Sequence, residues 1–504
     1  MLTNKIINLL EKLPLYILIW ILLCIRFVDF QLIGNEEQYF AFARHYMDPE
    51  WIEGAFPLQD FTGTRVIFET VSGFILQFVS FEIFAFFGRI LVFLLLSIPL
   101  AKIIKYLNIP NYIFLFIFSV YIFKNQALFA HEWIFMGIEA KSFAYIFIFY
   151  GLYMMLKNKI YRAIIFISVA TYFHALVGGW FLIYLIFYLL LEKFTLREII
   201  KAGIFYFLIT LPFIVFLFPV YINSSNSVVN DINTNWIYVY YRNPHHLAPF
   251  KSKEFFFDHF LLGVIISSVW LTLCITFFKK VNSTNFRRLN NIVISLLSFQ
   301  LFFVFIAYFD KNGTLLKYYP FRSSALSFLL LLIEVVLYLR IKYSFHHIVM
   351  KKVLPTFKAI VLLCSLFLFI YYINLSFSNF LASKNSSKTN AVNVIAHFLK
   401  TNSSQNEVIM DLINNGETLS LLRKSERKLF VINKFVPTTP ELLYEWYVRN
   451  EHLVKLRKNP SYIKILCKQY KIDYLLSSKK INSNYYKEIF SYNNYYLYEI
   501  ECSR

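Results

Sequence analysis

Apolar residues in this chain come in blocks, not in alternation. Runs rich in Leu, Ile and Phe recur at about 13–34, 81–101, 111–123, 143–156, 162–174, 177–191, 200–221, 259–278, 291–309, 323–340 and 353–376. Most have roughly the 18–25 residues that a helix needs to cross about 30 Å of hydrocarbon. Only helices and closed barrels keep every backbone group paired in lipid. Continuous runs without a period of two select helices. The pattern therefore predicts an α-helical polytopic membrane protein with about eleven spans. The third to sixth runs are short, and 162–191 also reads as a hairpin with its tip at His174–Gly179.

Basic residues punctuate the runs on alternate sides. Lys5 and Lys12 precede the first run; Lys102 and Lys105 follow the second; Lys157, Lys159 and Arg162 follow the fourth. Lys193, Arg197 and Lys201 follow the sixth, Lys279, Lys280, Arg287 and Arg288 the eighth, and Arg340, Lys342, Lys351 and Lys352 the tenth. All fall on one side if the N-terminus is cytoplasmic, and an odd number of spans then puts the C-terminus outside. The outer side receives the longer loops, 35–80, 124–142, 222–258 and 310–322. Residues 1–377 read as the transmembrane domain and 378–387 as a Ser/Asn/Lys linker. Residues 388–504 read as a small extracytoplasmic α/β domain. Its helices are expected at 390–400 and 440–458, and its strands at 408–412, 429–435, 472–477 and 495–500.

Composition narrows the class. Of 504 residues, 58% are hydrophobic and 16% charged, against about 25% charged in an average soluble domain. The net charge of +20 raises nucleic acid as a partner. The basic residues are instead spread through interspan loops and the tail, as the positive-inside rule requires, so no nucleic-acid partner is expected. Cys24, Cys274 and Cys364 lie in apolar runs, and only Cys467 and Cys502 leave a disulfide open. The basic start followed by a long apolar stretch without a small-residue cleavage site reads as a retained first span. Heavy use of Phe, Tyr, Asn, Ile and Lys fits an AT-rich bacterial genome, and the expected location is the bacterial inner (cytoplasmic) membrane. No internal repeat suggests a transporter built from inverted halves.

The first outer loop concentrates the chemistry. In Gly34-Asn35-Glu36-Glu37-Gln38-Tyr39-Phe40-Ala41-Phe42-Ala43-Arg44, Asn35 and Gln38 have the spacing of a helix start related to the capping box. Tyr39, Phe42, Ala43 and Tyr46 share one face, and Asp48-Pro49 ends the helix. Glu36 and Glu37 then occupy the first turn, either complementing the helix dipole or acting as a catalytic carboxylate. On the cationic side, Arg242 with His245 and His246, and Arg322 at the mouth of the tenth span, are candidates for binding phosphate. Arg322 reads equally as a headgroup anchor. The adjacent histidines lack a third ligand at usable spacing, so no metal site is assigned. Glu132, Glu139, Lys141 and His174 are further cavity candidates. Glu139 with Lys141 also reads as a plain surface pair, and His174 as a packed histidine beside Gly178-Gly179. Two structural pairs are expected, Glu82 with Arg89 and Arg26 with Asp29.

The acidic pair, Tyr39, Ala43-Arg44 and Glu50-Trp51 follow an order that resembles the GT-C superfamily of membrane glycosyltransferases that use polyprenyl-phosphate sugars. The likeness is to the first outer loop of protein O-mannosyltransferases and lipid A aminoarabinose transferases. It looks closest to a poorly characterised bacterial branch, with Glu139-Ala140-Lys141, His174 and Arg242-Asn243-Pro244-His245-His246 as further landmarks. The family's Asp-Glu aligns with Asn35-Glu36, which leaves open whether Glu36 or Glu37 is the base. The resemblance implies an inverting transfer from a polyprenyl-linked sugar donor to a glycan, lipid or protein acceptor of the cell envelope. The alternative is a non-enzymatic envelope protein, a lipid-linked oligosaccharide flippase or polymerase-like component. Ionisable residues cluster at one interface and not at mid-membrane, which favours surface chemistry over translocation.

Overall fold

The computed structural model describes residues 2–59, 63–123, 125–223, 227–344, 347–389 and 391–501. The chain divides into two compact units. The first comprises Met1–Asp29, Phe86–Phe216 and Tyr238–Phe377; the second comprises Phe30–Ala85, Leu217–Ile237 and Ser378–Arg504. The first outer loop thus clusters with the C-terminal residues and not with the helices that flank it in sequence.

Each of the eleven apolar runs is helical. Among the described residues, six helices are long and apolar enough to cross a membrane: Phe81–Tyr106, Leu196–Pro219, Leu261–Lys280, Thr284–Phe309, Ser324–Lys342 and Thr356–Asn379. A seventh candidate is the pair Thr3–Lys12 and Leu15–Phe27, bent by 103°. The bend falls at Leu13-Pro14, where proline cannot accept the preceding turn's geometry. The short runs become Asn111–Phe123, Ala140–Leu156, Ile160–Phe173 and Ala175–Leu191, each below span length.

Polar side chains bind these helices to one another in the first unit. Tyr121 Oη donates to the Ala325 carbonyl (3.0 Å) and Tyr372 Oη to that of Ser119 (2.6 Å). Gln300 Nε2 donates to Ser323 and Ser327. In an apolar environment such bonds hold helices that share no hydrophobic driving force with each other. Gly263 permits a close crossing: a Cβ there would stand 2.2 Å from the Leu128 carbonyl oxygen. The two expected charge pairs resolve differently. Arg89 is buried and donates to Asp29 Oδ1 at 3.1 Å and to the Phe27 and Asp29 carbonyls. Arg26 lies over the Phe27 ring, 4.7 Å from its centroid, and that of Tyr372, at 5.6 Å. Asp29 therefore pairs with Arg89, not Arg26, because the helix ends after Phe27 and turns the aspartate away from its own helix.

The second unit carries a five-stranded sheet ordered Lys428–Leu429, Val408–Asp411, Tyr474–Ser477, Tyr495–Ile500, Tyr486–Tyr492. Its first three strands are parallel and its last two antiparallel, with Ile409 opposite both Leu429 and Tyr474, and Leu475 opposite Tyr498. Helices Ala391–Asn402 and Pro440–Lys458 match the expected helical segments. Trp446 from the second is fully buried and donates to the Ile432 carbonyl at 3.0 Å. The expected strand at 429–435 shortens to two residues, and Tyr486–Tyr492 is a strand the pattern did not announce. Helix His347–Thr389 continues through 378–387, the stretch read as a linker. Cys502, half of the one conceivable sequence-based disulfide, falls outside the described residues.

Candidate functional site

Each unit holds a buried charged cluster, and between them they contain most of the residues singled out from the sequence.

In the second unit, the first-loop helix runs Gly34–Met47. It packs on Val66–Leu76, where a Cβ at Gly73 would sit 2.0 Å from the Ala43 carbonyl oxygen. Glycine is the residue that admits this approach. Capping differs from the expected Asn35–Gln38 pair. The cap lies two residues earlier, at Ile33, and Glu36 at the helix's third position accepts from the Ile33 backbone N–H at 3.0 Å. Glu36 is fully buried, and the bond pairs its carboxylate with one of the N–H groups that a helix start leaves without an intrahelical partner.

Glu37 takes a partner that sequence reasoning missed. Arg423 Nε and Nη2 donate to its two carboxylate oxygens at 3.0 and 2.9 Å, a bidentate fork, while Nη1 donates to Glu82 at 2.8 Å. Glu82 therefore pairs with Arg423, not with Arg89. Burial alone would lower the Arg423 pKa, but the two carboxylates outweigh it and raise it above the ordinary arginine value. Lys424 goes the other way: burial and then Arg423 pull its pKa down, against the pull of Glu37 and Glu82. These residues line a cleft of about 730 Å³ that also presents His397 and Lys400. The other motif residues serve structure. Arg44 pairs with Asp48 at 2.7 Å, and the Trp51 ring lies 6.0 Å from that of Phe81.

In the first unit, three segments distant in sequence converge. Glu132 lies 3.4 Å from Arg322 Nη1, 3.5 Å from Lys141 Nζ and 3.8 Å from His246 Nδ1. Lys141 also pairs with Glu139 at 2.9 Å and stands 3.7 Å from the centre of the Trp133 ring. Glu132, Glu139 and Lys141 are all buried, so the exposed-pair reading of Glu139 and Lys141 fails: both sit in a network that excludes water. His246 Nδ1 contacts the Ala130 carbonyl at 2.5 Å, and the His245 ring lies beside it, tilted by 42° with centroids 4.1 Å apart.

Tyr319 is the hub on the cationic side. The Arg322 guanidinium lies 4.2 Å from its ring centre and Tyr238 Oη donates to its hydroxyl at 3.4 Å. Burial lowers the Arg242 pKa, and Tyr319 and Tyr238 counter it only in part. Burial, then Tyr238, holds the Tyr319 phenol protonated well above the ordinary range despite Arg322. Tyr319 has φ +54°, and Ala130 and His131 beside Glu132 have +63° and +49°. Left-handed backbone costs a non-glycine residue of order 1 kcal/mol or more, and such strain gathers at functional sites. Three strained residues bordering one charge cluster mark it as selected for something other than stability.

His174 Nδ1 accepts from the Val177 N–H at 3.4 Å and caps helix Ala175–Leu191. Among the described residues, no group of three or more His, Cys, Asp or Glu is placed to hold a metal ion.

No family model matches the chain, and no curated protein matches it. Among solved structures it is similar to ArnT from Cupriavidus metallidurans bound to undecaprenyl phosphate. The likeness covers 97% of both chains at 13% identity with a TM-score of 0.48.

Proposed function

We propose that this chain is a membrane glycosyltransferase that moves a sugar from a polyprenyl-phosphate-type carrier to an extracytoplasmic cell-envelope acceptor. The observation that supports the reading is the cationic cluster around Glu132, whose carboxylate has Arg322, Lys141 and His246 at 3.4, 3.5 and 3.8 Å. We assign the phosphate leaving group to Arg322 and His246 there, and to Arg242 on the sequence reading alone. Arginine offers it a planar fork and keeps its charge at any accessible pH.

The reaction asks little else of the protein. The acceptor oxygen or nitrogen bonds to the anomeric carbon as the bond from that carbon to the phosphate oxygen breaks. The acceptor's proton passes to a carboxylate, and the negative charge leaves on the phosphate. We assign the carboxylate to Glu37 or Glu36, on the first-loop resemblance. Glu37 is the stronger of the two, because it lines an open cleft while Glu36 is consumed in capping. The Arg423 fork orients the Glu37 carboxylate, and each carboxylate oxygen retains a lone pair for an incoming proton.

The test is direct. Purified protein in detergent is incubated with a panel of polyprenyl-phosphate and polyprenyl-diphosphate sugars, and donor consumption is followed by mass spectrometry. Turnover of one donor supports the proposal. Saturable donor binding without consumption, across a panel of acceptors, transfers the chain to the non-enzymatic alternative.

A further inference from the structure

The 103° elbow at Leu13-Pro14 lays helix Leu2–Lys12 across the ends of other helices. Its apolar edge, Ile7 and Leu10, packs against Tyr112 and Val361. Asn111 Nδ2 donates to the Leu10 and Leu13 carbonyls at 2.9 and 3.3 Å, and Glu11 accepts from the Tyr112 N–H at 3.2 Å. The elbow is therefore built in. It encloses a cleft of about 660 Å³ whose charged lining is Lys12, Lys105, Arg340, Lys358 and one acid, Glu11.

Four cations reach this cleft from four separate segments: the elbow, the end of Phe81–Tyr106, the end of Ser324–Ser344, and the start of the apolar stretch Thr356–Asn379. The positive-inside rule places basic residues in loops; it does not require them to line one cavity. Gathering like charges costs free energy unless an anion occupies the space. The single acid accepts from a backbone N–H, and a net three positive charges remain. The site lies at the ends of apolar helices, where lipid headgroups sit, and basic pockets between spans take anionic headgroups. We propose that this cleft binds a phosphate group, carried on an anionic lipid headgroup or free in solution. The cleft shares no lining residue with the groups assigned to sugar transfer, so its test does not depend on that activity.

Native mass spectrometry of the full-length protein in neutral detergent tests this with three separate ligands: short-chain phosphatidylglycerol, short-chain phosphatidylcholine and inorganic pyrophosphate. The double variant Lys105→Gln/Arg340→Gln should weaken phosphatidylglycerol binding roughly 30-fold, from about 1 kcal/mol per basic residue near the membrane surface. Lys12→Gln/Lys358→Gln should act similarly and guards against a folding defect in the first pair. Arg197→Gln/Lys201→Gln, basic residues outside the cleft, should change nothing. Pyrophosphate binding with the same variant sensitivity, and no lipid binding, identifies free phosphate as the source and still supports the site. If neither phosphate ligand responds to either double variant while both variants melt like the parent, the proposal is overturned. Equal retention of phosphatidylcholine and phosphatidylglycerol overturns it as well.

Discussion

Replacing Arg423 with alanine should unfasten the first-loop helix from the C-terminal residues that hold it. The substitution removes two hydrogen bonds to Glu37, at 3.0 and 2.9 Å, and one to Glu82 at 2.8 Å. Hydrogen bonds to charged groups contribute about 1.5–3 kcal/mol each. The Glu82 side chain is 35% exposed, so solvent screening reduces its share to under about 1 kcal/mol. Glu37 is only 10% exposed at its side chain and would be left buried without its principal cation, the situation that costs about 3–5 kcal/mol. Lys424 nearby recovers part of this, so the net loss is set at about 3 kcal/mol. For a domain of roughly 150–250 residues that is a fall of about 6–12 °C in the apparent melting temperature. Arg423→Lys keeps the charge without the fork and should lose about half as much. Scanning fluorimetry in detergent reads the melting temperatures. Hydrogen exchange over residues 33–40 reads whether the helix start has loosened. A double-mutant cycle of Arg423→Ala with Glu37→Gln isolates the pair and should give a coupling of about 1.5–3 kcal/mol. A coupling below about 0.5 kcal/mol, or an Arg423→Ala protein that melts with the parent, refutes the reasoning.

Glu37→Gln should reduce sugar transfer by about 10²–10⁴ with near-normal abundance, while Glu36→Gln should act mainly on stability through its lost cap. If both variants and their double keep full activity, the base is elsewhere and Glu132 or Glu139 is the next to change. Arg242→Ala and Arg322→Ala should raise the donor KM, with the corresponding lysine variants less impaired; unchanged donor kinetics in all four returns Arg322 to the role of headgroup anchor. A phosphatase reporter fused after Arg504 should be active and one fused near Arg287 inactive, and the reverse result inverts the orientation. Gly73→Ala should destabilise the contact with Ala43 by about 1–3 kcal/mol, visible as a lower melting temperature; a parent-like value means the two helices separate at little cost.

What the sequence made legible is what short-range periodicity encodes. The eleven helices follow from run composition, and the first-loop helix from the spacing of Tyr39, Phe42, Ala43 and Tyr46. Helix Pro440–Lys458 appears with the expected ends because proline suits its first turn and Asn459 ends it. Strand Tyr486–Tyr492 was hidden because most of its residues are at least partly exposed and show no inside–outside alternation. The exchange of charge partners was hidden for a different reason. Arg423 sits among leucines and lysines in Leu421-Leu422-Arg423-Lys424, a string with no motif, and its partners precede it by 341 and 386 positions. Arg322 and Glu132 are likewise 190 positions apart. A helix-spacing argument prefers Glu82 with Arg89, yet Arg423 Nη1 takes Glu82 at 2.8 Å and Arg89 takes Asp29 at 3.1 Å. Nothing local could have said so.

The 386 positions between Glu37 and Arg423 also set a schedule. Chains are made at about 5–20 residues per second, so roughly 20–80 seconds separate the emergence of the acid from that of the cation that neutralises it. Throughout that interval the first-loop helix has been synthesised, but its anchor has not. A ribosome that stalls, or a nonsense mutation anywhere before codon 423, leaves a nascent product with unmatched carboxylates at a place meant to be closed. Such a product carries its own mark of incompleteness, and membrane proteases that recognise loosely held segments would find it there. The Arg423 fork is thus a checkpoint in time as well as a bond in space, made only after the 386 positions that separate its partners have been read.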